Sequence, residues 1–327
     1  MRGPDPAAGG SPALNPAAAD PLLRRLELVV RNRLDGLLQG NYLGLVPGPG
    51  SETGESRDYV FGDDVRRIDW PVTARTTVTH VRETIVDREL ETWLVVDLSP
   101  SLDFGTGRSD KRELALAAIT AFTHLAGRGG NRVGAVVTTG DRIERFPARS
   151  GRAHLQHLVR RIAELPRSTH GAEGDLAAAL ELVRRPPRRR GLVAVVSDFL
   201  TAPADPTQPP GEPSWLRPLR ALSSRHELVV AEIVDPRELE LPDVGLLTLV
   251  DPESGRQVEV QTSRRQRREA YAAAAAAQRA HVAAGLRHAG AGHLQLRTDR
   301  DWVADIVKFI VARRQAPAQR AAVGGTR

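Results

Sequence analysis

Four continuous apolar runs constrain the fold of this 327-residue chain more than any other feature. They are T-W-L-V-V-D-L-S from Thr92, R-V-G-A-V-V-T-T from Arg132, G-L-V-A-V-V-S-D-F from Gly191 and E-L-V-V-A-E-I-V from Glu227. None of them alternates apolar with polar. A strand that is apolar on both sides must be covered on both sides, which is the condition of a parallel sheet between helices. Helical patterns separate the runs. Residues 110–127 form one, with Asp110 as N-cap and Gly127 as stop; residues 152–165 and 175–185 form two more, and W-L-R-P-L-R-A-L-S-S-R from Trp215 a fourth. R-I-E-R-F-P from Arg142 reads as a partnering strand. Strands of this kind alternating with helices predict an α/β fold with a doubly wound, mostly parallel sheet.

The flanks divide as follows. Residues 1–20 are rich in Ala, Pro and Gly and are expected to be a disordered leader. Residues 21–90 are read as an N-terminal helix and an extension. The helix covers 21–39, with Pro21 in its first turn and Leu22, Leu26, Val29, Val30, Leu34 and Leu37 at helical spacing. Residues 40–58 are Gly/Pro-rich, and the stretch ending at Leu90 alternates like a strand. The main domain is expected over 91–240. Residues 241–315 add a hairpin turning at D-P-E-S-G-R, an Ala-rich helix over about 264–288, a short strand and a last helix. In that helix Trp302, Val303, Ile306, Phe309 and Ile310 share a face. Residues 316–327 are expected to be a disordered tail.

Composition removes several classes. Cysteine is absent, so no disulfide, thiolate metal site or cysteine nucleophile exists. Lys+Arg total 46 against 40 Asp+Glu, a net charge of +6, and every basic residue except Lys111 and Lys308 is arginine. Two local clusters, Arg184, Arg185, Arg188, Arg189, Arg190 and Arg264, Arg265, Arg267, Arg268, read as solvated helix ends or loops. A nucleic-acid binder concentrates its charge in a stripe or patch, so nucleic acid is not the expected partner. No apolar stretch reaches the roughly 20 residues of a membrane span, and the N-terminus lacks a signal-peptide core, so a cytoplasmic protein is expected. The Gly-rich segment 44–54 fits neither a P-loop nor a dinucleotide fingerprint. His154 and His157 stand three apart with nothing in sequence to complete a metal site.

The sharpest local chemistry is D-L-S-P-S, with Asp97, Ser99 and Ser101 at the end of the first buried run and before a helix. In doubly wound sheets, ligands collect beyond the carboxyl ends of the strands. One carboxylate and two hydroxyls aimed at a common point make an all-oxygen set, suited to Mg²⁺ or Mn²⁺. Asp198 ends a later run and is expected on the same rim. The alternative is that Asp97 and Asp198 only cap helices and bind loop amides. A second acidic segment holds Gly62, Asp63, Asp64, Arg66, Asp69, Trp70 and Arg75. It reads as a turn held by Arg–carboxylate pairs with Trp70 as a packing anchor, or as a binding element.

The strand–D-L-S-P-S–helix unit resembles the metal-ion-dependent adhesion site of von Willebrand factor type A domains. Y-V-F-G-D-D-V-R-R-I-D-W-P-V-T-A-R at 59–75, V-R-E at 81–83, D-K-R-E-L-A-L at 110–116 and V-D-P-R-E-L-E-L-P-D at 234–243 resemble the domain-of-unknown-function 58 family. That resemblance covers about residues 25–315. It implies a type A-like domain, Asp97, Ser99 and Ser101 as loop ligands, and Asp198 as the later aspartate of the site. It also implies a MoxR-type AAA+ ATPase as associate, since many members are encoded beside one, and type A domains generally bind proteins whose carboxylate completes the metal shell. This chain departs at Gly174, where members often carry a ligating Thr; Glu173, Asp175 or a water is expected to compensate. The expectation is a non-enzymatic, metal-dependent protein-binding module. The alternatives are an Mg²⁺-dependent hydrolase on the same rim, in which the metal would activate water, or an arginine-mediated nucleic-acid binder.

Overall fold

A computed structural model describes residues 16–37, 56–59, 68–76, 78–82, 91–128, 130–140, 142–167, 174–185, 191–200, 211–252 and 255–315. The expected leader up to residue 15, the tail 316–327, and Gly62, Asp63, Asp64, Arg66 and Glu173 lie outside them. In chain order the elements begin with α1 (Pro16–Val29), a π-helical turn (Val30–Leu34) and α2 (Asp35–Leu37). Next come β1 (Ser56–Asp58), α3 (Trp70–Thr76) and β2 (His80–Arg82). The main run is β3 (Glu91–Asp97), α4 (Lys111–Arg128), β4 (Arg132–Thr138), β5 (Ile143–Arg149), α5 (Arg152–Ala163), α6 (Leu176–Arg184), β6 (Gly191–Ser197), α7 (Leu216–Ser223) and β7 (His226–Val234). The chain closes with β8 (Leu246–Val250), β9 (Gln257–Gln261), α8 (Arg265–His288), β10 (Gly292–Arg297) and α9 (Trp302–Gln315).

Two compact units emerge, Val46–Glu89 and the rest of the chain. In the smaller unit β1 and β2 pair antiparallel, with Ser56 opposite Arg82 and Asp58 opposite His80. Asp69 sits at the start of α3 and accepts the Val72 N–H at 3.4 Å, while its own N–H bonds the His80 carbonyl at 2.8 Å. Trp70, expected as a packing anchor, is instead 68% exposed: it occupies the first position of a short helix in which no residue is buried. The described part of the alternating stretch before Leu90 is strand only over His80–Arg82.

The larger unit holds a six-stranded sheet in the order β10-β7-β6-β3-β4-β5. The first five strands in that order run parallel, and only β5 pairs antiparallel, with β4. From β3 the chain moves outward to β4 and β5, then returns to the other side of β3 as β6. The carboxyl ends of β3 and β6 therefore flank the point where the winding reverses, the usual ligand position in such sheets. Side chains alternate across the sheet. Trp93, Val95, Val193, Val195, Leu228 and Val230 join a core with Leu176, Leu180, Leu219, Val282 and Leu286 from α6, α7 and α8. The intervening residues face α4, which is buried along nearly its whole length.

The N-terminal helix belongs to this unit, against α4 and α5. It starts at Pro16 rather than Pro21, so Pro21 lies inside it. Alanines at 17–19 favour the helix, and a proline this close to its start forgoes only one backbone hydrogen bond. The buried residues are Leu23, Leu26, Val30 and Leu34, whereas Leu37 is exposed. Each such leucine contributes roughly 1.5–3 kcal/mol on burial. The hairpin β8–β9 is a separate two-stranded sheet, and in α9 Val303, Ile306 and Ile310 are buried as expected from their spacing.

Candidate functional site at the strand ends

The parallel register brings polar residues from separate runs into one row. Thr138 on β4 is opposite Asp97 on β3, and Ser197 on β6 stands one step beyond the Val96–Val196 pair. Ser197 is opposite Glu232 on β7, which is opposite Gln295 on β10. The row lies on the face covered by α6 and α8, and Thr138, Asp97, Ser197 and Glu232 each follow an apolar stretch of their own strand.

Asp97 is buried and held by neutral donors only. Its Oδ1 accepts the Ser99 N–H at 3.0 Å, and its Oδ2 accepts the Ser197 hydroxyl at 3.0 Å. Burial first, and then the charge of Asp198, push its carboxyl up from 3.8 to about 6. Ser99 and Ser101 are buried, with their hydroxyl oxygens 3.1 Å apart. The Thr138 hydroxyl, also buried, has no hydrogen-bond partner among the described residues. Gly174 closes on this cluster: a Cβ there would stand 2.8 Å from Asp97 Oδ1, 3.0 Å from Ser99 Cβ and 3.4 Å from Ser99 Oγ. The Gly174 backbone therefore packs directly against Asp97 and Ser99, where a side chain would collide with them.

This set fits a hard cation on three counts. Adjacent oxygens in an Mg²⁺ octahedron with bonds of roughly 2.0–2.1 Å are about 2.9 Å apart, close to the serine pair. Among the described residues no cationic side chain is bonded to the Asp97 charge. An orphan hydroxyl stands beside it in the row.

Asp198 shares the rim but turns the other way. The register makes Ser197 the neighbour of Asp97, so Asp198 is one residue further and faces α4. There Lys111, at the first turn of α4 and 0% exposed, donates to Asp198 Oδ2 at 2.6 Å and also to Glu238 Oε1. The second Asp198 oxygen accepts the Leu200 N–H at 3.1 Å. Burial alone would lower the Lys111 ammonium, but Asp198 and Glu238 together raise it. Burial raises Glu238, more than Lys111 lowers it. Between Asp198 and Leu200, Phe199 takes φ 55, uncommon for a residue with a Cβ, and packs edge-on to Trp215 at 5.0 Å. Asp175 is the N-cap of α6 and accepts the Ala178 N–H at 2.7 Å. His154 bonds the Val133 carbonyl at 2.9 Å.

Further along the rim are groups the sequence did not single out. Glu232, buried in β7, binds Arg279 at 2.9 Å, His293 at 2.8 Å and Gln295 at 3.1 Å. Burial would raise its carboxyl, but the bonds from His293 and Arg279 hold it low. Arg279 also donates to the Asp198 carbonyl at 2.8 Å, tying α8 to the rim. Asp235, just past β7, accepts Thr106 N–H and hydroxyl at 2.7 and 2.6 Å and the Thr298 hydroxyl at 2.7 Å, and forms a capping box with Glu238. No helix among the described residues is long and apolar enough to cross a membrane.

Comparison with known proteins gives three kinds of match. The family model described as "Protein of unknown function DUF58" matches residues 55–281. Uncharacterized proteins of Mycobacterium tuberculosis and Mycobacterium bovis are each 54% identical over 295 residues, covering 90% of this chain and 89% of theirs. An uncharacterized protein of Mycobacterium avium is 49% identical over 171 residues, covering 52% of this chain and 95% of its own. Among solved structures, a von Willebrand factor type A protein from Catenulispora acidiphila is similar at 11% identity and TM-score 0.30, over 48% of this chain and 35% of that one. The SpRpn10 VWA domain is similar at 10% identity and TM-score 0.31, over 44% and 75%.

Proposed function

Because the chain belongs to the DUF58 family, whose description names no reaction, we propose its function from the strand-end site itself: a non-enzymatic protein-binding module that engages its partner through a divalent cation. Asp97, Ser99 and Ser101 would hold Mg²⁺ or Mn²⁺, with waters completing the shell. The cation would supply an open coordination position for a carboxylate of the partner. Asp97 and the two serines orient and partly neutralise it, while the covered row beneath excludes bulk water. The observation that carries the reading is a buried carboxylate at the winding reversal, held among the described residues only by neutral donors and flanked by two hydroxyls at octahedral spacing.

The family resemblance makes a MoxR-type AAA+ ATPase the partner to test first, with this chain as its adaptor toward a client. Purified chain is to be mixed with a MoxR-type ATPase from the same organism, with and without Mg²⁺. Retention that needs Mg²⁺ and is lost in Asp97→Ala is the expected result. Equal retention by wild type and Asp97→Ala would sink the metal-dependent reading.

A further inference from the structure

Lys111 stands out on chemistry before geometry. The chain has 46 basic side chains, and only this one and Lys308 are lysine. An ammonium is a compact donor that fits between two carboxylates, where a planar guanidinium fork needs more room. Lys111 fills that place: it is fully buried and bonded to both Asp198 and Glu238. Asp198 closes the strand beside Asp97, while Glu238 belongs to the turn after β7. A single cation thus joins the ends of β6, α4 and β7.

The charges around the rim then matter. Asp97, Asp198 and Lys111 are buried and Glu238 is half-buried beside them, three carboxylates and one ammonium in all. Asp198 has its Oδ2 on the ammonium and its Oδ1 on the Leu200 N–H, so neither oxygen is directed to Asp97. A divalent ion arriving at Asp97, Ser99 and Ser101 finds one carboxylate available. To recruit the second it has to draw Asp198 away from Lys111.

We propose that Lys111 sets the divalent-ion affinity of the strand-end centre, acting as an internal cation that withholds Asp198 and keeps the ion weakly held and exchangeable. The inference rests on the metal-dependent reading above, and Lys111 is a positioning residue in it. An ion that is easily exchanged lets partner engagement, rather than the ion alone, decide occupancy.

The test is a Mn²⁺ and Mg²⁺ titration by calorimetry, with thermal unfolding at graded Mn²⁺ as a second readout. The proteins compared are wild type, Lys111→Met, Asp97→Ala and the double variant Lys111→Met/Glu238→Gln. The double variant keeps the comparison if Lys111→Met alone does not fold, because it removes one of the two carboxylates left without a cation. Binding at least 10-fold tighter than wild type in Lys111→Met or the double variant, with a larger rise in unfolding temperature on adding Mn²⁺, is the expected result. Ion binding in Lys111→Met where wild type shows none supports the same conclusion. Affinity equal to or weaker than wild type in folded Lys111 variants, while Asp97→Ala abolishes wild-type binding, overturns the role of Lys111 and leaves the metal reading standing. No binding by any of the four proteins overturns both.

Discussion

Replacing Asp97 by Asn tests whether this carboxylate is kept for binding at a cost in stability. Asn has the same shape, keeps an oxygen for the Ser99 N–H, and carries no charge. The Asp97 carboxyl moves from 3.8 to about 6 on folding, through burial and then Asp198. The folded value lies above the unfolded one, so the folded protein holds the proton more tightly across that window. The advantage is fully present below about pH 3.8 and is lost as pH rises through 6. At about pH 7.5 the charged wild-type group therefore destabilises the ion-free protein by about 3 kcal/mol, taking 1.36 kcal/mol per pKa unit. Urea or thermal unfolding in EDTA, at about pH 4 and about pH 7.5, measures it. The two proteins are expected to be nearly equal near pH 4. Near pH 7.5 Asp97→Asn is expected to be more stable, by roughly 6–12 °C for a domain of this size. Adding Mg²⁺ is expected to stabilise wild type alone and narrow the gap. A variant no more stable than wild type near pH 7.5 in EDTA would refute the reasoning, since it would mean that the buried charge is already compensated.

Three further outcomes follow from the same geometry. Gly174→Ala puts a methyl 2.8 Å from Asp97 Oδ1 and 3.0 Å from Ser99 Cβ, and calorimetry and unfolding should show weaker ion binding and a loss of about 1–3 kcal/mol. Glu232→Gln leaves Arg279 short of a buried counter-charge and should cost about 3–5 kcal/mol at neutral pH. The Glu232 carboxyl is held low, so its stabilisation is present above the ordinary value of 4.5 and fades as pH falls through the folded value; unfolding below about pH 4.5 should accordingly be less pH-dependent in the variant. Leu34→Ala removes a fully buried side chain under the N-terminal helix and should cost about 2–5 kcal/mol, with that helix cut earlier in limited proteolysis.

The strands were legible because each buried run is apolar on both faces, and the hairpin because a polar turn separates an apolar stretch from one that alternates with valine. Asp97, Ser99 and Ser101 were legible for a related reason: polar residues that end a buried strand have few structural tasks besides facing a ligand or capping a loop. Trp70 was misread because an aromatic in an arginine- and aspartate-rich motif looks like an anchor, whereas here it begins a helix with no buried face. The polar row was harder to see. Thr138, Asp97, Ser197 and Glu232 each follow an apolar stretch and Gln295 follows Gly-His-Leu, yet periodicity does not set the register between strands. Aligning the runs by their first polar residue would have offered a signal for four of the five.

Asp198 shows what a one-residue difference in register does. Two strand-end aspartates in parallel neighbours read as a matched pair from sequence alone, but matching requires the same count of residues from a shared level. β3 reaches that level at Asp97 and β6 reaches it at Ser197, so the serine bonds Asp97 and the aspartate passes to the opposite face. A carboxylate delivered into the buried space beside α4 needs a cation there, because an unpaired charge in that position costs several kcal/mol. The first turn of α4 supplies Lys111, and Glu238 takes the remaining side of the ammonium. The single-residue offset, the rare lysine and the acidic turn after β7 are therefore one arrangement with one physical cause, and a change at any of the three should be felt at the other two.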